Sequence, residues 1–301
     1  MNEKQFLKSV LKFLPQKADV FVGPGDDCAV VRRKSGNLLL LAVDQIASGI
    51  HFNPEITSPG QAAQKLIRRN ISDIAAMGGV PEFALLTVAA NFADSKFTSE
   101  WLEKFMIALG EESSRWNVSV CGGDMSSKQD LDSVFSLTIT GNVEKRKLCL
   151  RSGAKDGDLL FATGRFGNSF MSGHHLQFIP RLREARFLAG TYTNTMIDVS
   201  DGLVSDASRL SESSHCGIRL FTENILRRKG SDLRQALNEG EDYELIFAIN
   251  PSKASRLIKK WPFKKTEVSE IGIFSAKIPS AHVMDDRGVD LTREMHGFSH
   301  L

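Results

Sequence analysis

Aspartate recurs along this chain in short clusters flanked by glycine or serine: GPGDDCAVV, LAVDQIASGIHF, NISDIAAMGG, CGGDMSS and IDVSDGLVSD. A fold that gathers so many carboxylates needs cations to neutralise them, and an oxygen-only ligand set selects magnesium or calcium. The pattern points to metal-assisted chemistry on a phosphate. A chain of 301 residues, 42% of them hydrophobic, has room for two ordinary cores, so two domains are expected.

The remaining composition removes several classes of partner. The formal charge is +2 and the basic residues are scattered, which leaves no footprint for nucleic acid or a polybasic membrane anchor. Cys28, Cys121, Cys149 and Cys216 are far apart without CxxC spacing. That disfavours disulfides and zinc and suits a reducing cytoplasm. The longest apolar run, Leu38 to Val43, falls far short of the roughly 20 residues that span a bilayer. The expected partners are small molecules.

Periodicity predicts alternating elements. Asn37 to Asp44 reads as a buried strand ending on a carboxylate. A helix follows with Ser58 as N-cap and Pro59 at its first position, stopping at Gly78 and Gly79. Asn70 and Asp73 fall in or beside its apolar stripe, so a carboxylate there requires a partner. Phe83 to Ala90 reads as strand, Ser99 to Arg115 as helix, and Val118 to Cys121 as a strand ending at Gly122, Gly123 and Asp124. Val134 to Gly141 is a further strand, and the polar RSGAKDGD, Arg151 to Asp158, reads as a link near residue 150. Beyond it come strand Leu159 to Thr163, a helix after Asn168, strand Met196 to Asp198 and helix Leu203 to Ser213. Strand Tyr243 to Ile249 and helix Ser252 to Lys260 complete an α/β or α+β pattern.

Taken singly, each cluster has a plain explanation. Asp26 and Asp27 fit a turn, Asp44 a solvated strand end, and Asp73 an ion pair with Arg69 one helical turn earlier. Asp198, Ser200 and Asp201 fit helix capping as well as ligation. Gly122 and Gly123 before Asp124 allow close backbone approach to a ligand, and a turn is equally compatible. No GxxxxGK[ST], strand-linked GxGxxG, HExxH or GxSxG motif is present. Any ATP phosphates would therefore be held through magnesium on the aspartates, with backbone amides and an arginine.

The ordered set GPGDDCAVV, VDQIASGIHF, NISDIAAMGGVPEF, GGDMSS, RSGAKDGDLLFATGRFGNS, IDVSDGLVSD and GEDYELIF resembles the thiamine-monophosphate kinases over nearly the whole chain. The resemblance implies a two-domain synthetase-like fold. Its N-terminal α/β domain, residues 1–150, would bind ATP and magnesium and pair in a homodimer. Its C-terminal α/β domain, residues 151–301, would complete the substrate site. The implied reaction is ATP-dependent phosphorylation of thiamine monophosphate to thiamine diphosphate in the cytoplasm, by direct in-line transfer assisted by several Mg2+ ions. The implied metal ligands are Asp27, Asp44, Asp73, Asp124, Asp198 and Asp201. Gly123, Asp124, Arg151 and Ser200 match nucleotide contacts, and His51, Glu241 and Phe298 match contacts to the thiamine substrate.

Two departures bear on the ion count. Val43 and Met125 stand where the family usually carries Thr, so two hydroxyl ligands are lost. Two other readings remain: selenophosphate synthesis, which calls for a reactive Cys in a glycine-rich N-terminal segment, and a catalytically silent ATP-binding dimer.

Overall fold

The computed structural model describes residues 9–34, 36–91, 96–127, 132–295 and 297. Two six-stranded sheets divide it. The first comprises β1 (Val20–Val22), β2 (Ala29–Arg32), β3 (Leu38–Ala47), β4 (Val80–Ala90), β5 (Ser119–Ser127) and β6 (Val134–Val143), ordered β1-β2-β3-β6-β4-β5. Only β4 and β5 pair in parallel. The second comprises β7 (Leu159–Thr163), β8 (Met196–Asp198), β9 (Gly217–Leu220), β10 (Leu245–Ile249), β11 (Val268–Ser275) and β12 (Val283–Met284), ordered β12-β9-β11-β7-β10-β8.

Helices α1 (Pro59–Ala76) and α2 (Ser99–Arg115) cover one face of the first sheet. Ser58 caps α1 in a reciprocal box with Gln61, and Pro59 opens it, an arrangement worth about 1 kcal/mol. Leu66, Ile67, Ile71 and Ile74 are fully buried beneath β3, β4 and β6. Truncating any one of them to Ala costs about 2–5 kcal/mol. Ala75 and Ala76, in the last turn of α1, join the core of the second sheet instead, with Phe161, Met196, Leu245 and Phe247. α1 is therefore the element common to both halves, and its C-terminal turn is where they meet.

Short helices α3 (His174–Gln177) and α4 (Leu182–Leu188) precede β8, and α5 (Leu203–Ser214), α6 (Leu233–Asn238) and α7 (Pro251–Lys260) complete the second half. Leu203, Val204, Ala207 and Leu210 of α5 and Ala236 and Leu237 of α6 bury one face of the second sheet. Leu188 of α4 and Leu257 of α7 bury the other. Among the described residues no helix is long and apolar enough to cross a membrane.

The expected mixed α/β architecture is observed, with three local differences. β3 runs on to Ala47, so Asp44 lies inside the strand rather than at its exit. β5 continues through Gly122, Gly123 and Asp124 to Ser127. A Cβ at position 123 would stand 1.7 Å from the Leu86 carbonyl oxygen, so the glycine permits close pairing with β4 rather than ending the strand. β10 begins at Leu245, two residues later than expected, because Glu241 and Tyr243 adopt left-handed φ values of 54° and 51°.

Candidate active site

Three carboxylates converge where α1 reaches the second sheet. Asp27 comes from the loop before β2, Asp73 from the last turn of α1 and Asp198 from the end of β8. They offer ligand oxygens that all lie within 4.8 Å of one another. Alternation along β8 and the helical period of α1 turn the three toward one point that neither half of the molecule could form alone.

The electrostatics of this point are strained. Burial, then Asp44, Asp198 and Asp27, push the Asp73 carboxyl well above the usual carboxylate range. Burial and Asp27 do the same to Asp198. Burial and the adjacent Asp27 raise Asp26 to about 6. Ser72 donates its hydroxyl to Asp198, and Arg151 Nη2 donates to Asp27 Oδ1 at 2.6 Å. The second oxygen of Asp27 is buried without a hydrogen-bond partner, and no hydrogen bond to the Asp73 carboxylate is found among the described residues. Close, desolvated, under-satisfied oxygens form a donor set that fits a hard divalent cation.

The other expected residues are distributed unevenly. Arg151 is pinned to the glycine-rich loop, its amide donating to Asp26 Oδ2 at 3.1 Å and its guanidinium to the Gly25 carbonyl at 3.3 Å. Asp201 pairs with Arg209, which also holds Asp206. Asp206, the last residue of IDVSDGLVSD and not among the expected ligands, accepts from the Ser200 and Asp201 amides at 3.0 Å each, the pattern of an acidic group at a helix start. Burial raises Asp206 to about 7. Arg69 turns its fork to Asp44, at 3.3 and 3.4 Å, rather than to Asp73.

His51 and Glu241 lie together beside this point. His51 is buried, and its Nδ1 accepts from the Ala47 amide at 3.0 Å. Glu241 is fixed by its amide, which donates to the Ser200 carbonyl at 2.7 Å, and by an ion pair with the fully buried Lys65. Lys65 also donates to the His51 carbonyl at 2.7 Å, and burial lowers its pKa to about 8. A cavity of about 640 Å3 opens next to His51, with Phe52, Phe97, Phe170 and His175 in its wall. Phe170 and His175 form a tilted ring pair 4.8 Å apart. Phe298 lies outside the described residues.

Gly123 and Asp124 stand apart. The register Thr87↔Asp124, Thr87↔Ser136 and Gln45↔Ser136 sets Asp124 on the sheet face opposite α1. Asp44 points toward α1. Three strand spacings separate β5 from β3, on the order of 14 Å. Within one chain, Asp124 is outside the acidic cluster.

Residues 25–143 match the AIR synthase related protein N-terminal domain. Together with the carboxylate cluster between two sheets, this match sets the chain in that two-sheet class. A protein from Escherichia coli K12 named thiamine-monophosphate kinase is 31% identical, over 95% of this chain and 93% of its own. One of the same name from Rhodopirellula baltica is 34% identical, over 88% and 87%. The structure of AaThiL complexed with AMPPCP and TMP aligns with a TM-score of 0.84 at 26% identity, covering 100% of this chain and 97% of that one. The chain belongs to the thiamine-monophosphate kinase family.

Proposed function

We propose that this chain is a phosphotransferase of the cytoplasm that uses ATP and Mg2+ to convert thiamine monophosphate to thiamine diphosphate. The observation that carries the reading is the convergence of Asp27, Asp73 and Asp198, with a partnerless buried oxygen, at a junction supplied by both halves of the molecule. The names borne by relatives over nearly the full chain supply the acceptor. Residues 1–150 form the nucleotide- and ion-binding domain on this reading, and residues 151–301 complete the substrate site.

Bound there, divalent ions would screen the repulsion between two polyanions and hold the γ-phosphate for in-line displacement. The attacking atom is a phosphate oxygen whose second ionisation lies near pH 6, so it needs no general base at neutral pH. The chain's own residues then align and neutralise. Asp27, Asp73 and Asp198 hold cations, Arg151 and Ser200 face the nucleotide, and His51 and Glu241 border the thiamine pocket. The Phe170–His175 pair offers an aromatic wall for a flat cationic ring.

Asp124 and Gly123 enter this scheme through a second copy of the chain. The sheet face opposite α1 carries two aligned rows in which apolar side chains flank a threonine, Leu41–Thr140–Phe83 and Val43–Thr138–Leu85. Val43 is 62% exposed and Phe83 and Leu85 are 51% exposed, an apolar patch of the kind homodimers cover. On this reading two such faces pair in a homodimer, with Asp124 on the face that meets the second copy. Selenophosphate synthesis fits poorly. Cys28 is buried, and burial with Asp73 and Asp27 raises its thiol well above the ordinary value, the opposite of a reactive cysteine.

The test is ADP release with MgATP against a panel of phosphomonoesters. A response confined to thiamine monophosphate supports the reading. Nucleotide binding without acceptor-dependent ADP would instead indicate a silent ATP-binding scaffold.

A further inference from the structure

α1 carries Lys65, Arg69 and Asp73 at four-residue intervals, so their side chains follow one another along a single side of the helix. The first two are cations in a region otherwise rich in carboxylates, and they do different things. Lys65 is fully buried and committed to Glu241 and the His51 carbonyl. Arg69 is held less completely. Its Nε and Nη2 face the two oxygens of Asp44 at 3.3 and 3.4 Å. Its Nη1 lies 3.6 Å from Glu241 and is buried with no hydrogen-bond partner. A salt bridge serving the fold alone would be expected to saturate that donor.

We propose that Arg69 is a resident counter-cation of the phosphoryl-transfer site, standing beside Asp44 in place of one divalent ion. The proposal rests on the phosphotransferase reading above. Asp44 already has a counter-cation within the chain: both oxygens of its carboxylate meet the Arg69 fork, and its amide donates to Asn70 Oδ1 at 3.1 Å. Asp27, Asp73 and Asp198 have no comparable fork among them. Arg151 takes one oxygen of Asp27 and Ser72 one of Asp198.

The chemistry of the substitution is direct. A guanidinium stays charged at any working pH and offers a rigid fork that matches carboxylate or phosphate oxygens, so it supplies fixed positive charge without drawing an ion from solution. Arg69 lines a cavity of about 280 Å3 shared with Val43, Asp44, Gln45, His51 and Ser136. An acceptor phosphate entering there approaches a cation already in position.

The experiment counts Mn2+ bound per chain by electron paramagnetic resonance, without nucleotide or acceptor, in the wild type, Arg69→Met, Arg69→Lys, Asp44→Asn and the Asp44→Asn/Arg69→Met double variant. Circular dichroism and thermal melting verify that each is folded. Arg69→Met should gain one Mn2+ over the wild type, Arg69→Lys should match the wild type, and the double variant should lose the extra ion. Asp44→Asn alone should leave the count unchanged, because Arg69 already neutralises that carboxylate. An unchanged count in Arg69→Met, or a lower count in Asp44→Asn, overturns the proposal. Asp44→Asn tests the idea by itself even where Arg69→Met does not fold. The measurement needs no thiamine monophosphate, so it can fail while acceptor-dependent ADP release succeeds, and the reverse.

Discussion

Two buried acidic sites in this molecule are supplied with cations to different degrees. Around Asp242, next to the second sheet, Arg228 forms an ion pair, and the Gly167 amide and Ser169 hydroxyl donate to the same oxygen at 3.0 and 3.1 Å, while the other oxygen is buried without a partner, as one of Asp27 is. Around Asp27, Asp73 and Asp198, three carboxylates share the Ser72 hydroxyl and one arginine contact. Burial raises the affinity for protons in both places. Burial alone therefore does not single out a functional carboxylate. What distinguishes the junction is that its negative charge exceeds the cations the chain supplies.

The largest effect expected from that difference is on catalysis. Asp73→Asn should lower turnover by at least about 100-fold, since it removes charge that must be in position when the phosphoryl group moves. The same substitution relieves repulsion among three neighbouring carboxylates. In EDTA its melting temperature should equal or exceed that of the wild type. An inactive variant that is also much less stable in EDTA would mean that the cluster serves the fold.

The next effect concerns where the site is completed. If Asp124 acts across a dimer, inactive Asp124→Asn and Asp73→Asn chains that are mixed and allowed to exchange should recover activity. Each heterodimer would contain one site with both carboxylates intact, so random exchange gives roughly a quarter of wild-type activity. No recovery, with exchange demonstrated by mass, would remove Asp124 from a shared site. Such a result would leave the contrast between the two carboxylate groups standing within a single chain.

How much of this is legible in the sequence depends on whether the signal is local. The Ser58–Pro59 start of α1 and its apolar stripe announce a helix because capping and periodicity act within a few residues. The aspartate clusters are visible in the sequence, but that Asp27, Asp73 and Asp198 converge is not, because they meet only through the packing of α1 against both sheets. The partners of Arg69 are not legible. Asp73 is the nearer carboxylate in sequence, and only the pairing of β3 beneath α1 brings Asp44 to the guanidinium. Lys65 has the look of a solvent-facing helix residue, yet Glu241, which buries against it, is 176 positions away. The Gly122–Gly123 pair reads as a stop because glycine usually punctuates strands, whereas here it admits the Leu86 carbonyl. Asp206 closes the IDVSDGLVSD cluster, but its role in holding the Ser200 and Asp201 amides is not legible, because those partners are backbone groups.

The smallest expected effect is on stability as a function of pH, and it separates the two groups without any assay of turnover. Burial raises Asp242 to about 7 against the pull of Arg228. The folded chain keeps a proton there that the unfolded chain releases near pH 4. This group's contribution to stability therefore declines as pH rises from about 4 to about 7, by at most about 4 kcal/mol at roughly 1.4 kcal/mol per unit. Asp242→Asn should flatten that part of the melting-temperature profile whether or not Mg2+ is present. Above about pH 7, where the ionised wild-type carboxylate pairs with Arg228 and an amide cannot, it should also lower stability, by about 3–5 kcal/mol. At the junction the dependence on ions should differ, since Asp73 and Asp198 lose their mutual repulsion when a cation binds. Added Mg2+ should therefore flatten the slope of the wild type and of Asp242→Asn alike, but not that of Asp73→Asn to the same degree. Mg2+ sensitivity that follows Asp242 rather than Asp73 would exchange the roles assigned to the two groups.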